Sequence, residues 1–324
     1  MFDLFSIGDI KLDTFVLLDQ ASLQCQLKMP ECLLCLEYGA KISVSVVDAQ
    51  IAGSGPNVAT GLSRMGFKTG IISNMGGDGT RQMALEHLAK ERVNTKFIRT
   101  VPGEMSSSSV VLNFKGDRTI LTSHIKHAYR LPSDLPKSSW LYVGEMGEGY
   151  EKLYRSVSAH ARKHEVKVGF NPGSVQIRER RPHLFDLIHE TEILFVNKEE
   201  AQTLTQETSV EAHHLAPALF KLGCHHVVIT DGKNGSYHFD GKTIRFCPIY
   251  PGKAVEMTGA GDAYATGFLG AMMSGLTAEE AMKWGAANAA SVVGKIGPTA
   301  GLLSLAHIKS HLRRMPTFKT EKQA

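Results

Sequence analysis

Short β-rich runs alternate with helical patterns along most of this chain, and that alternation limits the possible folds more than any other feature. Leu4 to Ile7 and Thr69 to Ser73 read as strands, with a helix from about Asn57 to Met65 between them. Trp140 to Val143, Val166 to Phe170, Ile193 to Val196 and His226 to Thr230 are further apolar runs. Helical segments such as Glu151 to His164 and Val210 to Leu222 separate them. Successive strands joined by helices pair in parallel, and a parallel sheet is covered on both faces. The expectation is an α/β fold around a mostly parallel sheet.

Two regions break this rhythm. Val16 to Ile51 separates the first strand from the first glycine cluster. Ser107 to Ser123 reads as two alternating strands turned at Lys115-Gly116-Asp117-Arg118, a hairpin signal. Hairpins off a parallel sheet often cover the carboxyl ends of its strands, where α/β folds bind ligands. A polar, charged end from about Thr317 to Ala324 reads as a disordered tail.

Composition excludes several classes. With 324 residues and 43% hydrophobic content the chain can bury a sizeable core. Its 36 basic and 32 acidic residues are spread along it, which does not imply nucleic acid. The stretch Arg178-Glu179-Arg180-Arg181 reads as a solvated helix face. No run is long enough for a membrane span, and no basic leader opens the chain, so a cytoplasmic location is expected. The five cysteines include one C-x-x-C, Cys32 and Cys35, without the second pair of a zinc site, and buried thiols are the simpler reading. No G-x-G-x-x-G follows a strand and no G-x-S-x-G occurs, against a dinucleotide oxidoreductase and an α/β-hydrolase.

The strongest chemical signal is Thr258-Gly259-Ala260-Gly261-Asp262, with Gly267 behind it, at the start of a helix. Small residues there let a ligand approach the backbone, whose N–H groups form an anion site at the helix N-terminus. Asp262 then sits where a carboxylate could take the proton of an alcohol attacking a phosphoryl group. The competing reading is a helix charge stabilised by the macrodipole. Ala52-Gly53-Ser54-Gly55-Pro56-Asn57 opens another helix, where Asn57 is either an N-cap or a ligand donor. Asn197 and Glu200, three apart at a helix start, form either a capping box or a water-mediated Mg²⁺ site. Thr230-Asp231-Gly232-Lys233-Asn234-Gly235 is either a hairpin turn or a phosphate contact through Thr230 and Gly232.

Taken together, in this order, these segments resemble the ribokinase-like (PfkB) family of carbohydrate and nucleoside kinases. The glycine cluster with Gly66 and Gly76 matches that family's first signature, and Thr258 to Asp262 with Gly267 its second. The resemblance implies a single three-layer α/β/α domain over residues 1–324, with a small β-sheet lid formed by about 14–52 and 107–123. It implies transfer of the ATP γ-phosphoryl group to a hydroxyl of a sugar or sugar acid, with Mg²⁺. Asp262 would be the base, and Gly259, Ala260 and Gly261 the anion hole. Asn197, Thr230, Gly232, Gly235 and Thr258 would hold the nucleotide and Glu200 the metal. Asp13, Gly53, Asn57 and Glu145 would hold the substrate. Glu256-Met257 stands where the family has an aspartate-threonine, so the K⁺ that this aspartate helps to bind in many relatives is an open question. A nucleoside kinase is the alternative, and needs an aromatic such as Phe15, Tyr38 or Phe114 against the base. A silent binding relative would not need Asp262. The half-exposed lid, with Val110, Leu112 and Phe114 on one face, points to a homodimer.

Overall fold

A computed structural model describes residues 1–25, 32–115, 117–124, 128–207 and 211–323, with Cys25, Cys32 and Asp117 described in backbone only. The lid segments therefore include positions outside the described residues, among them Gly116 of the hairpin turn; so does Val210 of the helical segment, whose helix is Ala212–Phe220.

The main sheet has ten strands. Their spatial order is Glu321–Lys322, Ile244–Cys247, Ser236–Phe239, His226–Thr230, Ile193–Asn197, Lys167–Phe170, Ser138–Val143, Phe2–Ile7, Thr69–Gly76 and Asn94–Val101. From His226–Thr230 to Asn94–Val101 the strands run parallel, and the rest are antiparallel. Period-two alternation sends neighbouring residues to opposite faces. Leu141 and Val143 join the core beneath helices Glu151–His164 and Ala212–Phe220, while Trp140 and Tyr142 join the one beneath Ser54–Arg64 and Ala260–Met273. The result is a large α/β sheet between two helical layers, as expected.

A separate four-stranded sheet has the order Val44–Ala52, Lys11–Leu18, Ser107–Phe114, Asp117–Ser123. It starts at Lys11, so Asp13 is a strand residue. Lys11, Asp13 and Phe15 share a face with Ser107, Ser109 and Val111, their register partners. A further hairpin, Ser22–Cys25 with Cys32–Cys35, sits between its strands in the chain, and Leu34 packs on Val16, Leu18 and Leu112.

Three local expectations are corrected. The tail is ordered as far as it is described: the Phe318 ring packs on Tyr250, and Glu321–Lys322 closes the sheet edge beside Ile244–Cys247. One buried aromatic is enough to anchor a segment of disorder-like composition. Arg180 does not lie on a solvated helix face. It caps Ser174–Glu179 in the left-handed conformation, donates to the carbonyls of Thr203 and Leu204, and covers the Phe185 ring. The helix placed at about Asn57 begins at Ser54, with Gly53 as its N-cap. The Gly53 φ is +118°, and a Cβ there would come within 2.2 Å of the Asp9 carbonyl oxygen, so only glycine fits. Asn57 is thereby released from capping.

Candidate active site

Asp262 is partly buried in the first turn of Ala260–Met273, facing the first turn of Ser54–Arg64. Asn57 Nδ2 donates to Asp262 Oδ2 at 2.7 Å. Burial raises the Asp262 carboxyl above its ordinary range, and the hydrogen bonds of Asn57 and Ser54 oppose that rise. Ser54 Oγ also lies 2.9 Å from the hydroxyl of buried Tyr142. Asn57 Oδ1 is buried with no hydrogen-bond partner among the described residues, an acceptor left unsatisfied by the protein.

Gly259 caps the Asp262 helix at φ +77°, with Pro298 packed where a Cβ would stand. A Cβ on Gly261 would point into open space. That position lines the apolar cleft and the small hollow described below, so bulk there would fill them. Ala260 N–H turns toward the Met257 carbonyl at 3.3 Å.

One cleft beside Asp262 is polar. Lys11, Asp13, Gly53, Ser54, Asn57, Ser109, Glu145, Asn171, Thr258 and Gly259 line it, with Glu200 at its far side. Segments far apart in the chain meet there, the small sheet among them. Ser109 Oγ donates to Asp13 Oδ1 at 2.7 Å, while burial raises the Asp13 carboxyl. Lys11 Nζ donates to Glu145 Oε2 at 2.7 Å. Burial works against both charges, but their attraction prevails: the Lys11 pKa lies above its ordinary value and that of Glu145 below. None of Phe15, Tyr38 and Phe114 lines this cleft. Tyr38 is fully exposed, while Phe15 and Phe114 border an outer groove with Glu256 and Met257.

A second cleft is apolar. Pro248, Ile249, Tyr250, Met257, Ala286 and Ala290 form much of it, and Thr230, Gly232, Gly235 and Gly261 close one side. Thr230 ends a strand, Gly232 opens a 3₁₀ turn and Gly235 leads into the antiparallel return strand, so the hairpin forms and its residues also line the cleft. A third, smaller hollow joins the two clefts, lined by Asn171, Asn197, Glu200, Thr230 and Gly261. Asn197 and Glu200 form a complete capping box: Asn197 Oδ1 accepts from Glu200 N at 2.8 Å, and Glu200 Oε2 from Asn197 N at 2.9 Å. Burial pushes the Glu200 carboxyl up to about 7. Thr258 lies on the polar cleft, where its N–H and hydroxyl donate to Glu256 Oε1.

The sequence motifs thus converge around Asp262. Missing from them were Lys11, Ser109 and Asn171. Lys11 and Asp13 are two apart on one strand and therefore face the same way, a signal that the period-two rule could have supplied.

The pfkB family carbohydrate kinase model matches residues 15–304. The 5-dehydro-2-deoxygluconokinase of Bacillus licheniformis is 26% identical over 304 residues, 86% of this chain and 91% of that protein. The ribokinase of Arabidopsis thaliana, solved with ribose and ATP, has a like fold at TM-score 0.78 and 20% identity, over 96% of this chain and 99% of that one. A putative ribokinase II from E. coli, solved with ATP and Mg²⁺, aligns at TM-score 0.75 and 18% identity, over 97% and 100%. With the family model spanning most of its length, this chain belongs to the pfkB family of carbohydrate kinases, phosphotransferases whose acceptor is an alcohol group.

Proposed function

We propose that the protein transfers the γ-phosphoryl group of ATP to a hydroxyl of a sugar or sugar acid held in the polar cleft. The observation that carries this reading is the Asn57–Asp262 hydrogen bond at a helix N-terminus, where a polar and an apolar cleft meet. Asp262 is the general base, and burial favours its taking a proton. The N–H groups of Gly259 and Gly261 serve the transferring phosphoryl group, with Gly261 the more open of the two, while the Ala260 N–H is already engaged by the Met257 carbonyl. Asp13 and Glu145 accept hydrogen bonds from the acceptor's hydroxyls, and Asn57 Oδ1 and Gly53 border the same space. The apolar cleft suits a flat purine, with Thr230, Gly232 and Gly235 along the phosphates, and Asn197 and Thr258 bracketing the transfer point.

The donor set fits Mg²⁺. Glu200 is a partly buried carboxylate in the hollow that joins the clefts, and a hard divalent ion bound there through water would neutralise phosphate charge. Glu256 fits a monovalent cation on the same kind of observation. It is 7% exposed, and its Oε2 has no hydrogen-bond partner among the described residues.

A polar cleft without an aromatic among its described lining residues favours a sugar over a nucleoside. The small sheet acts as a lid, because Lys11, Asp13, Ser109 and Ile120 face the cleft that Asp262 faces. Its other face carries Val110 and Leu121, paired in register and exposed, and suits a second copy of the chain.

An ADP-release assay over neutral sugars, sugar acids and nucleosides tests the reading. Acceptor-dependent ADP release with a sugar or sugar acid is expected. Release with nucleosides alone, or with no acceptor at all, would overturn it.

A further inference from the structure

Lys11 is the only cationic side chain among the described residues that line the polar cleft. Its side chain is 8% exposed, and its ammonium is engaged by Glu145 Oε2 at 2.7 Å. The other oxygen of Glu145, Oε1, lies 3.7 Å from His124 Nε2. His124 Nδ1 in turn lies 2.8 Å from Oδ2 of buried Asp9, which also accepts from the Tyr129 hydroxyl through Oδ1 at 2.6 Å. Both oxygens of Glu145 therefore face cations or potential cations borne by the small sheet. Lys11 opens one of its strands, and His124 follows another. The remaining charged groups on the cleft, Asp13, Glu200 and Asp262, are all carboxylates.

We propose that Glu145 is a specificity gate: by occupying Lys11 it closes the acceptor cleft to carboxylate- and phosphate-bearing sugars and selects uncharged polyols. The gate rests on the acceptor role given to this cleft above, and narrows it.

Binding an acid in this cleft requires an exchange of charge partners. An acceptor carboxylate needs a cation, and the described lining offers only Lys11. Taking Lys11 strips Glu145 of its partner in a site where burial already opposes its charge, and an unpaired buried charge is strongly unfavourable. The displaced carboxylate would also stand beside the incoming one, and like charges in contact repel. A neutral acceptor needs no exchange. Its hydroxyls donate to Asp13 and Glu145, and accept from the N–H donors of Lys11 that Glu145 leaves free. Specificity then comes from a repulsive element as much as from an attractive one.

The test compares neutral aldoses and ketoses with the sugar acids of the same carbon skeleton, by kcat/KM from ADP release. The wild-type protein should favour the neutral member by at least ~10-fold, the scale of a modest charge penalty. Glu145→Gln removes the repelling charge and frees Lys11, so the ratio should move toward the acid by at least ~10-fold. The double variant Lys11→Met/Glu145→Gln should lose that gain, since the freed cation is gone. A ratio is insensitive to any uniform loss of turnover. A wild-type protein that prefers the acid overturns the gate while the kinase reading stands. An unchanged ratio in a folded Glu145→Gln variant also overturns it, and if that variant does not fold the wild-type ratio alone decides. If no acceptor of either charge is phosphorylated, the kinase reading fails and the gate falls with it.

Discussion

Asn57 Nδ2 and Asp262 Oδ2 lie 2.7 Å apart, joining the first turns of two helices that are 205 positions apart in the chain. The bond exists because Gly53, not Asn57, caps its helix. Burial raises the Asp262 carboxyl and the Asn57 amide opposes that rise by favouring the charged form. A carboxylate base works only when ionised, so activity should climb with pH through the Asp262 titration. Asn57→Ala removes the opposing bond, so the acid limb of kcat/KM should move to higher pH. A loss of ~10-fold or more in kcat should accompany it, the usual weight of a hydrogen bond to a charged group. A pH–rate profile checks this, and an unmoved acid limb contradicts the coupling.

Glu200 serves a cap and, in the account above, a metal, and two substitutions separate the roles. Glu200→Gln keeps an acceptor for the Asn197 N–H but loses the charge, so the Mg²⁺ needed for half-maximal activity should rise while the melting temperature stays near wild type. Glu200→Ala should also lose ~1 kcal/mol of stability with the capping box. A Mg²⁺ titration unchanged in Glu200→Gln would leave this residue as a cap alone.

Gly53→Ala should destabilise the protein by at least ~2 kcal/mol. It combines a positive φ with a Cβ driven onto the Asp9 carbonyl oxygen at 2.2 Å. Denaturant unfolding of wild type and variant measures it, and a shift within ~0.5 kcal/mol, the range of an ordinary surface substitution, would contradict the glycine requirement.

The parallel sheet was legible because its strands are continuous apolar runs, and the helix Glu151–His164 because its apolar positions recur at helical spacing. Asn94–Val101 was not, since at the sheet edge only Phe97 and Ile98 are buried and five of the other six residues are polar. Asp262 and its glycines were visible as a contiguous motif. The apolar cleft was legible only at Thr230–Gly235 and Gly261, because Pro248–Tyr250 and Ala286–Val293, which supply much of its walls, are not distinctive by themselves. The Lys11–Glu145 pair spans 134 positions, and no local pattern encodes it. The tail misled for the opposite reason: Phe318 is a lone apolar residue in a charged stretch, yet it anchors the stretch against Tyr250.

Ile120 faces the polar cleft, so Leu121 points from the opposite face of the small sheet, where it pairs with Val110. Sedimentation velocity should show a dimer that Leu121→Lys converts to monomer, because a charge at a packed apolar interface must be desolvated. A monomer for the wild-type chain at micromolar concentration would remove the interface role from this face.

If Asp262 accepts the proton of the attacking hydroxyl, removing its basicity should remove most turnover. Asp262→Asn keeps the size of the side chain but cannot take that proton. The measurement is kcat with the best acceptor, alongside ATP affinity by calorimetry. A ~10²–10⁴-fold fall in kcat is expected, the usual weight of general base catalysis, with ATP binding largely unchanged. A variant that keeps more than ~10% of wild-type kcat would contradict it, because a base of that weight cannot be removed at so small a loss.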